Sequence, residues 1–240
     1  MHRILEYWLN RSPDERILKT DSRNLIFDGT FLRKRKGMYA AIDGQTHKLI
    51  YGVYGMNEGP ADLMHFCSYL KQHEVHPQSI TIDGNLHIYR VVKTLWSECI
   101  IQRCIVHIQR QGLSWCRRNP KRIDAVKLRQ LFLKVCNIKT RQQSEEFINE
   151  FCKWEEHYGD KIIKIKNSGW VTSDIRRARS MLIKALPHMF NYINNANIPN
   201  TTNAIEGYFS RLKQHYRQHK GLSKTHQENY FKWYFYLCPK

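Results

Sequence analysis

Short apolar runs rich in β-branched and aromatic residues dominate the first hundred positions of the chain. Apolar residues spaced three and four apart dominate the rest. Asn24–Leu32, Gly37–Ile42 and Lys48–Gly55 are runs of the first kind. The basic turn Arg33-Lys34-Arg35-Lys36 and an Asp43-Gly44 turn separate them, so they predict an antiparallel three-strand meander. Pro60–His73 sets Leu63, Phe66, Cys67 and Leu70 at helical spacing. Ser79–Ile82 reads as a fourth strand, Leu86–Trp96 as a second helix and Cys99–Arg103 as a fifth strand. Ahead of the meander, residues 1–20 read as a short amphipathic helix broken at Ser12-Pro13.

Beyond residue 108 the pattern turns helical. Val126–Cys136, Ser144–Tyr158 and Ser173–Tyr192 carry the apolar spacing of helices, and Asn194–Asn203 is a polar loop. A helix from Ala204 to His219 follows, with Gly221 as its C-cap residue, and Gln227–Leu237 is a last aromatic helix. The order βββαβαβ and then a helix is the skeleton of an RNase H-like α/β fold, a mixed sheet with helices on its faces. The domain reading is a helical lead-in over 1–23, a first part of the core over 24–111, an inserted helical subdomain over 112–198 and the last part of the core over 199–240.

Charge changes the picture most. Lys and Arg number 39 against 21 Asp and Glu, a net charge of +18 that points to a polyanionic partner, nucleic acid first. A hydrophobic content of 42% with six tryptophans argues against a disordered basic tail. The basic residues cluster at Arg33, Lys34, Arg35 and Lys36; at Arg117 and Arg118 with Lys121 and Arg122; at Arg176, Arg177 and Arg179; and at Arg211, Lys213 and Arg217. Separate clusters without compensating acids favour phosphate contact over a merely solvated face. No run of eighteen apolar residues exists, so no transmembrane helix is read and no membrane partner is expected. Seven cysteines without a disulfide-rich spacing point to a reducing cytoplasm, with nucleoid association if the source is bacterial.

Three acids stand out in this basic chain. Asp28 and Asp83 each follow a short apolar run, and Glu206 falls in the first turn of a helix. Two strand-end carboxylates and one helix carboxylate can converge on a pair of Mg²⁺ or Mn²⁺ ions, whose hard character suits oxygen ligands. Each has a plainer reading. Asp-Gly is a common turn signal and occurs three times; only Asp43 lies midway between matching strands, so it takes the turn role. Asn203-x-x-Glu206 fits a capping box without any metal. Cys104-x-x-His107 offers one tight pair where a closed zinc site needs two, with Cys99 and Cys116 as the completing candidates; a packed or hydrogen-bonded pair is the other reading. Trp115, Trp154 and Trp170 read mainly as core, with stacking on an unpaired base as the minor alternative.

In this order the motifs resemble DDE transposases of the Mutator-like type, bacterial insertion-sequence enzymes included. The matching stretches are Phe27-Asp28-Gly29-Thr30-Phe31, Ile82-Asp83-Gly84, Gln102-Arg103-Cys104-Ile105-Val106-His107 and Thr201-Thr202-Asn203-Ala204-Ile205-Glu206-Gly207. Arg211-Leu212-Lys213 and His219-Lys220-Gly221-Leu222 extend the likeness, which covers residues 24–240. It implies an enzyme in which Asp28, Asp83 and Glu206 hold two Mg²⁺ or Mn²⁺ ions. Water would nick the element's end, and the freed 3′-hydroxyl would attack target DNA. It implies double-stranded DNA as partner, a homodimer or higher oligomer on that DNA, and a family motif at Cys104 and His107. Such enzymes carry an N-terminal recognition module; 27 residues precede Asp28 and hold no cysteine, so a catalytic domain dependent on such a module is expected. Two other functions fit the same residues: a non-catalytic DNA-binding remnant acting as a repressor, and a structure-specific nuclease of the same fold.

Overall fold

The computed structural model describes residues 2–18, 23–32, 36–57, 59–164, 169–219 and 221–239. Contacts divide the chain into two compact units, residues 1–101 with 202–240 and residues 102–201.

The first unit is built on a mixed sheet. Its strands are β1 (Asn24–Phe31), β2 (Gly37–Asp43), β3 (Leu49–Met56), β4 (Ser79–Ile82) and β5 (Ile100–Arg103), in the order β3-β2-β1-β4-β5. The division between the units falls inside β5. β1 pairs antiparallel with β2, β2 antiparallel with β3, and β1 parallel with β4. The meander predicted from the apolar runs is therefore present. Asp43 takes the turn role: its carboxylate accepts from the backbone N–H groups of Gln45 and Thr46, both at 2.8 Å.

Side chains alternate across a strand, so each central strand feeds two cores. Leu25, Phe27, Tyr39 and Ala41 pack with Ile80 and Ile82 against α2 (Pro60–Gln72) and α3 (Leu86–Leu95), through Leu63, Phe66, Ile88 and Val92. Ile26, Met38, Ala40 and Ile42 pack against α10 (Asn203–Tyr216) and α11 (Lys224–Leu237), through Ile205, Tyr208, Leu212 and Phe231. Each leucine, isoleucine, valine, phenylalanine or methionine among them withdrawn from water contributes roughly 1.5–3 kcal/mol. The two ends of the chain close the exposed edge of β3. Leu18 N–H donates to the Ile50 carbonyl at 3.1 Å, and Leu49 N–H donates to the Pro239 carbonyl at 2.6 Å. An edge so covered is a poor template for another strand. The lead-in helix α1 (His2–Leu9) lies on α11, where Trp233 donates its indole N–H to the carbonyls of Trp8 and Arg11.

The second unit is helical: α4 (Ile105–Cys116), α5 (Ile123–Lys134), α6 (Arg141–Trp154), α7 (Asp160–Lys164), α8 (Trp170–Ala185) and α9 (Asn191–Asn194). Ile108, Leu128, Phe132, Phe147, Ile175 and Leu182 form its core. Thr140 and Gln143 make a reciprocal capping box at the start of α6. α8 stops at Ala185, whereas the apolar spacing predicted a helix to Tyr192. Pro187, in the 3₁₀ turn Leu186–His188, breaks it, because proline lacks the N–H that a continuing helix needs. The buried Gln102 crosses this unit: its amide donates to the Met189 carbonyl at 2.9 Å and accepts from Tyr192 N–H at 3.3 Å.

Candidate active site

Parallel pairing of β1 with β4 aligns Asn24 with Ser79, Leu25 with Ile80 and Ile26 with Thr81. Asp28 lies two residues beyond Ile26, and Asp83 two residues beyond Thr81. Neighbouring strands run about 4.8 Å apart, so the two acids stand at adjacent points; only Asp83 is at a strand end, because β1 continues to Phe31 and Asp28 pairs with Ala40 of β2 within it. Both line one cavity of about 30 Å³, together with Gly29, Phe31, Tyr39, Leu63 and Asn85 among others. That volume suits a water molecule or a small ion rather than an organic ligand.

Local hydrogen bonds set both carboxylates. Asp28 accepts from the N–H of Gly29 at 2.8 Å. Asp83 accepts from the N–H of Asn85 at 2.8 Å, while the Asn85 side chain caps α3 by accepting from His87 N–H at 2.7 Å. The Asp83-Gly84-Asn85 turn thus starts a helix instead of a return strand. Gly29 has a steric task. It pairs with Tyr39 on β2, and a Cβ on Gly29 would stand 2.3 Å from the Tyr39 ring. A Cβ on Gly37 would likewise stand 2.6 Å from the same ring. The tyrosine lies flat across two glycines, stacked on Phe27 with centroids 6.1 Å apart.

α10 runs beside this place. The Lys213 ammonium donates to the Thr30 hydroxyl on β1. Burial holds that ammonium below the usual lysine range, and the nearby Asp28 carboxylate works in the opposite sense. Lys213, one member of the basic run expected to meet DNA, stands against β1 beside Asp28. Glu206 lies two turns earlier on α10, partly buried. Its N–H donates to the Thr202 carbonyl at 3.1 Å, and its carboxylate accepts from the Thr202 hydroxyl at 3.3 Å. The helix begins one residue before the expected capping box: Thr202 is the N-cap, and Asn203 is the first helical residue. Glu206 is not among the residues lining the cavity of Asp28 and Asp83. Among the described residues, no three His, Cys, Asp or Glu side chains are grouped to hold a metal ion.

The family model for transposases of the Mutator family matches residues 14–223. The chain belongs to the Mutator family of transposases. A comparison with curated proteins gives no match. Membership makes this a transposase-family chain, of a class that cuts and joins DNA, and its basic balance suits that partner. No helix among the described residues is long and apolar enough to cross a membrane.

The remaining predicted residues of this transposase-family chain fall in several settings. Cys104 is fully buried at the head of α4, in the second unit. Cys136 of the same unit donates its thiol to the Ile105 carbonyl at 3.8 Å, and Cys104 is close enough to act on it electrostatically. His107 is partly buried one turn into α4. Of the proposed completing ligands, Cys116 faces Arg129 and Asp124, and Cys99 faces Cys67 and Lys93. Arg33, Lys34 and Arg35 lie outside the described residues. Lys36 stands 5.9 Å over the Tyr54 ring. Arg117 and Arg177 flank Asp174 at 3.5 and 3.7 Å. Arg176 donates to the carbonyls of Ile162 and Ile163, and Arg179 pairs with Glu155. Arg118, Arg211 and Arg217 are exposed. Sequence reasoning missed the parts played by Tyr39 and Asn85. Asn85 carried a signal, a capping residue directly before an apolar helix, whereas Tyr39 carried none because its place depends on strand register.

Proposed function

We propose that this chain is the catalytic part of a DDE transposase, built on an RNase H-like sheet, with Asp28, Asp83 and Glu206 as its acidic residues. The observation that carries the reading is the approach of Asp28 to Asp83, each two residues past the last aligned pair of β1 and β4, with both lining one ion-sized cavity. Two carboxylates offer hard oxygen ligands of the sort Mg²⁺ and Mn²⁺ prefer. The pair fits one such cation. The second needs Glu206, which stands on the helix that carries Lys213 to the β1 strand. Bound divalent ions would activate the attacking oxygen and stabilise the leaving one. The chain's own residues position them: Gly29 and Asn85 fix the two aspartates, and the Lys213 ammonium fixes Thr30 beside Asp28. The expected partner is double-stranded DNA, both element ends and target, engaged by a homodimer or higher oligomer.

A strand-transfer assay tests this, using Mg²⁺ or Mn²⁺, labelled element ends and a target plasmid. Joined products from the wild type, absent from Asp28→Asn and Asp83→Asn with DNA binding kept, are the expected result. Removing a metal ligand's charge while keeping its size costs several kcal/mol of transition-state stabilisation, a loss on the order of a hundredfold or more. Cutting without joining would assign the nuclease function instead. Binding without either would assign the repressor.

A further inference from the structure

We propose that the helical unit carries a binding face for unpaired DNA nucleotides, centred on the indole of Trp170. This goes beyond the carboxylate chemistry and does not depend on it. Trp170 is 81% exposed, the most exposed large apolar side chain among the described residues. Its neighbours in kind are not. Trp154 is 4% exposed and donates its indole N–H to the Asp124 carbonyl, and Trp115 packs against the helical core. An indole left in water at the first position of a sixteen-residue helix contributes little to folding.

The surroundings of Trp170 decide what it fits. The segment between α4 and α5 is tied to the first turns of α8 at both its ends. Arg117 reaches Asp174 at 3.5 Å, and Arg122 donates to the Thr172 hydroxyl at 2.7 Å. Arg118 and Lys121 lie between those ties, exposed. Arg177 sits two turns further along α8, exposed, with Asp174 at 3.7 Å on one side of it. An aromatic face bordered by cations is the composition of a single-strand binding surface: cations take the phosphates, and the ring takes the face of a base. Bases within a duplex have both faces covered by their neighbours. A ring at this place therefore selects an unpaired nucleotide, such as a strand freed next to a nick.

The test is equilibrium binding of the full chain in EDTA, so that catalysis plays no part. One probe is a duplex with a single-stranded tail, and the control is the same duplex closed at both ends by non-nucleotide polyether linkers, so that it holds no unpaired base. Trp170→Ala should weaken binding to the tailed probe by about fivefold to a hundredfold, the range of one lost base stack. Binding to the closed duplex should change less than twofold. Trp170→Phe should restore most of the difference. The salt slope should stay unchanged in Trp170→Ala, because the indole releases no counterion. The pair Arg118→Gln and Lys121→Gln should instead flatten that slope, by roughly 2 on the closed duplex and by roughly 1.4–1.8 on the tailed probe. Equal weakening on both probes by Trp170→Ala, or none on either, overturns the proposal. So does an altered sedimentation coefficient with DNA binding intact, which would mark an interface between copies of the chain.

Discussion

Asp28 on β1 and Asp83 after β4 occupy equivalent positions, each two residues past the last aligned pair of their parallel strands, and they share one cavity. Like charges this close repel, and a bound cation relieves that repulsion. Divalent metal should therefore stabilise the folded chain by linkage. At tenfold excess over the dissociation constant the gain is about 1.4 kcal/mol. In a chain of this size that raises the melting temperature by roughly 3–6 °C. Asp83→Ala should blunt the rise in Mg²⁺ or Mn²⁺. Equal rises in wild type and variant, followed by differential scanning fluorimetry, would count against a metal at this pair.

Gly29 offers a second check, on stability. A methyl group there meets the Tyr39 ring well inside contact distance, and the ring is wedged between Gly29, Gly37 and Phe27. Overpacking of this kind destabilises by about 1–3 kcal/mol. Gly29→Ala should lower the urea midpoint accordingly. Tyr39→Ala opens a cavity when made alone, but in the Gly29→Ala background it should cost less than its single-variant loss. Additive losses in that double-mutant cycle would show that the ring yields without strain.

Much of this fold was legible in the chain. The strands, α2 and α3 follow apolar runs and helical spacing, and the two acids of the site fall on or next to such runs, Asp28 within β1 and Asp83 directly after β4. The three Asp-Gly pairs were separable because Asp43 alone lies between matching strands. Other features depend on contacts that a linear pattern does not carry. Register between β1 and β4 is set across some fifty intervening residues, so the matching of Asp28 with Asp83 had to be seen. The same is true of Gly29, whose sequence signature is a turn and whose task is to make room for a ring on the next strand. Pro187 could have ended α8 in the reading, since proline interrupts helices, but the apolar spacing continued through it and outweighed it. Lys213 looked like one of several surface cations because its partner, Thr30, is nearly the whole chain away.

Alkaline conditions give a third prediction. Burial pushes the thiols of Cys67 and Cys99 from 9.0 up to about 12. Between those values the unfolded chain has lost these protons and the folded chain has kept them. The folded state then binds more protons, so stability falls as pH rises. The stability is fully present below pH 9 and is lost progressively towards pH 12. Each group contributes about 1.4 kcal/mol per pH unit within that window. Urea unfolding at pH 8, 9 and 10 should show the decline, and Cys67→Ala with Cys99→Ala should flatten it. An unchanged slope in the double variant would mean that other groups, such as the buried phenols of Tyr192 and Tyr230, both raised to about 12, carry the effect alone.

Salt dependence separates the charge of the chain from the chemistry of its acids. Lys36, Arg118, Lys121, Arg177, Arg211 and Arg217 are at least partly exposed. If about six such side chains each meet a phosphate, log affinity for duplex DNA should fall with log salt at a slope of roughly −5. Phosphate contacts carry little base information, so preference for one duplex sequence over another should stay within about tenfold. Asp28→Asn should leave the slope unchanged, because it removes no counterion-releasing cation. Arg211→Gln with Arg217→Gln should flatten it by roughly 2. Filter binding over a salt series decides the matter. A slope near zero would mean that the excess of 18 cations faces solvent rather than DNA. Strong discrimination for one sequence near physiological salt would show that side chains of this chain reach base edges, and the search for them would begin at the exposed basic face of α10.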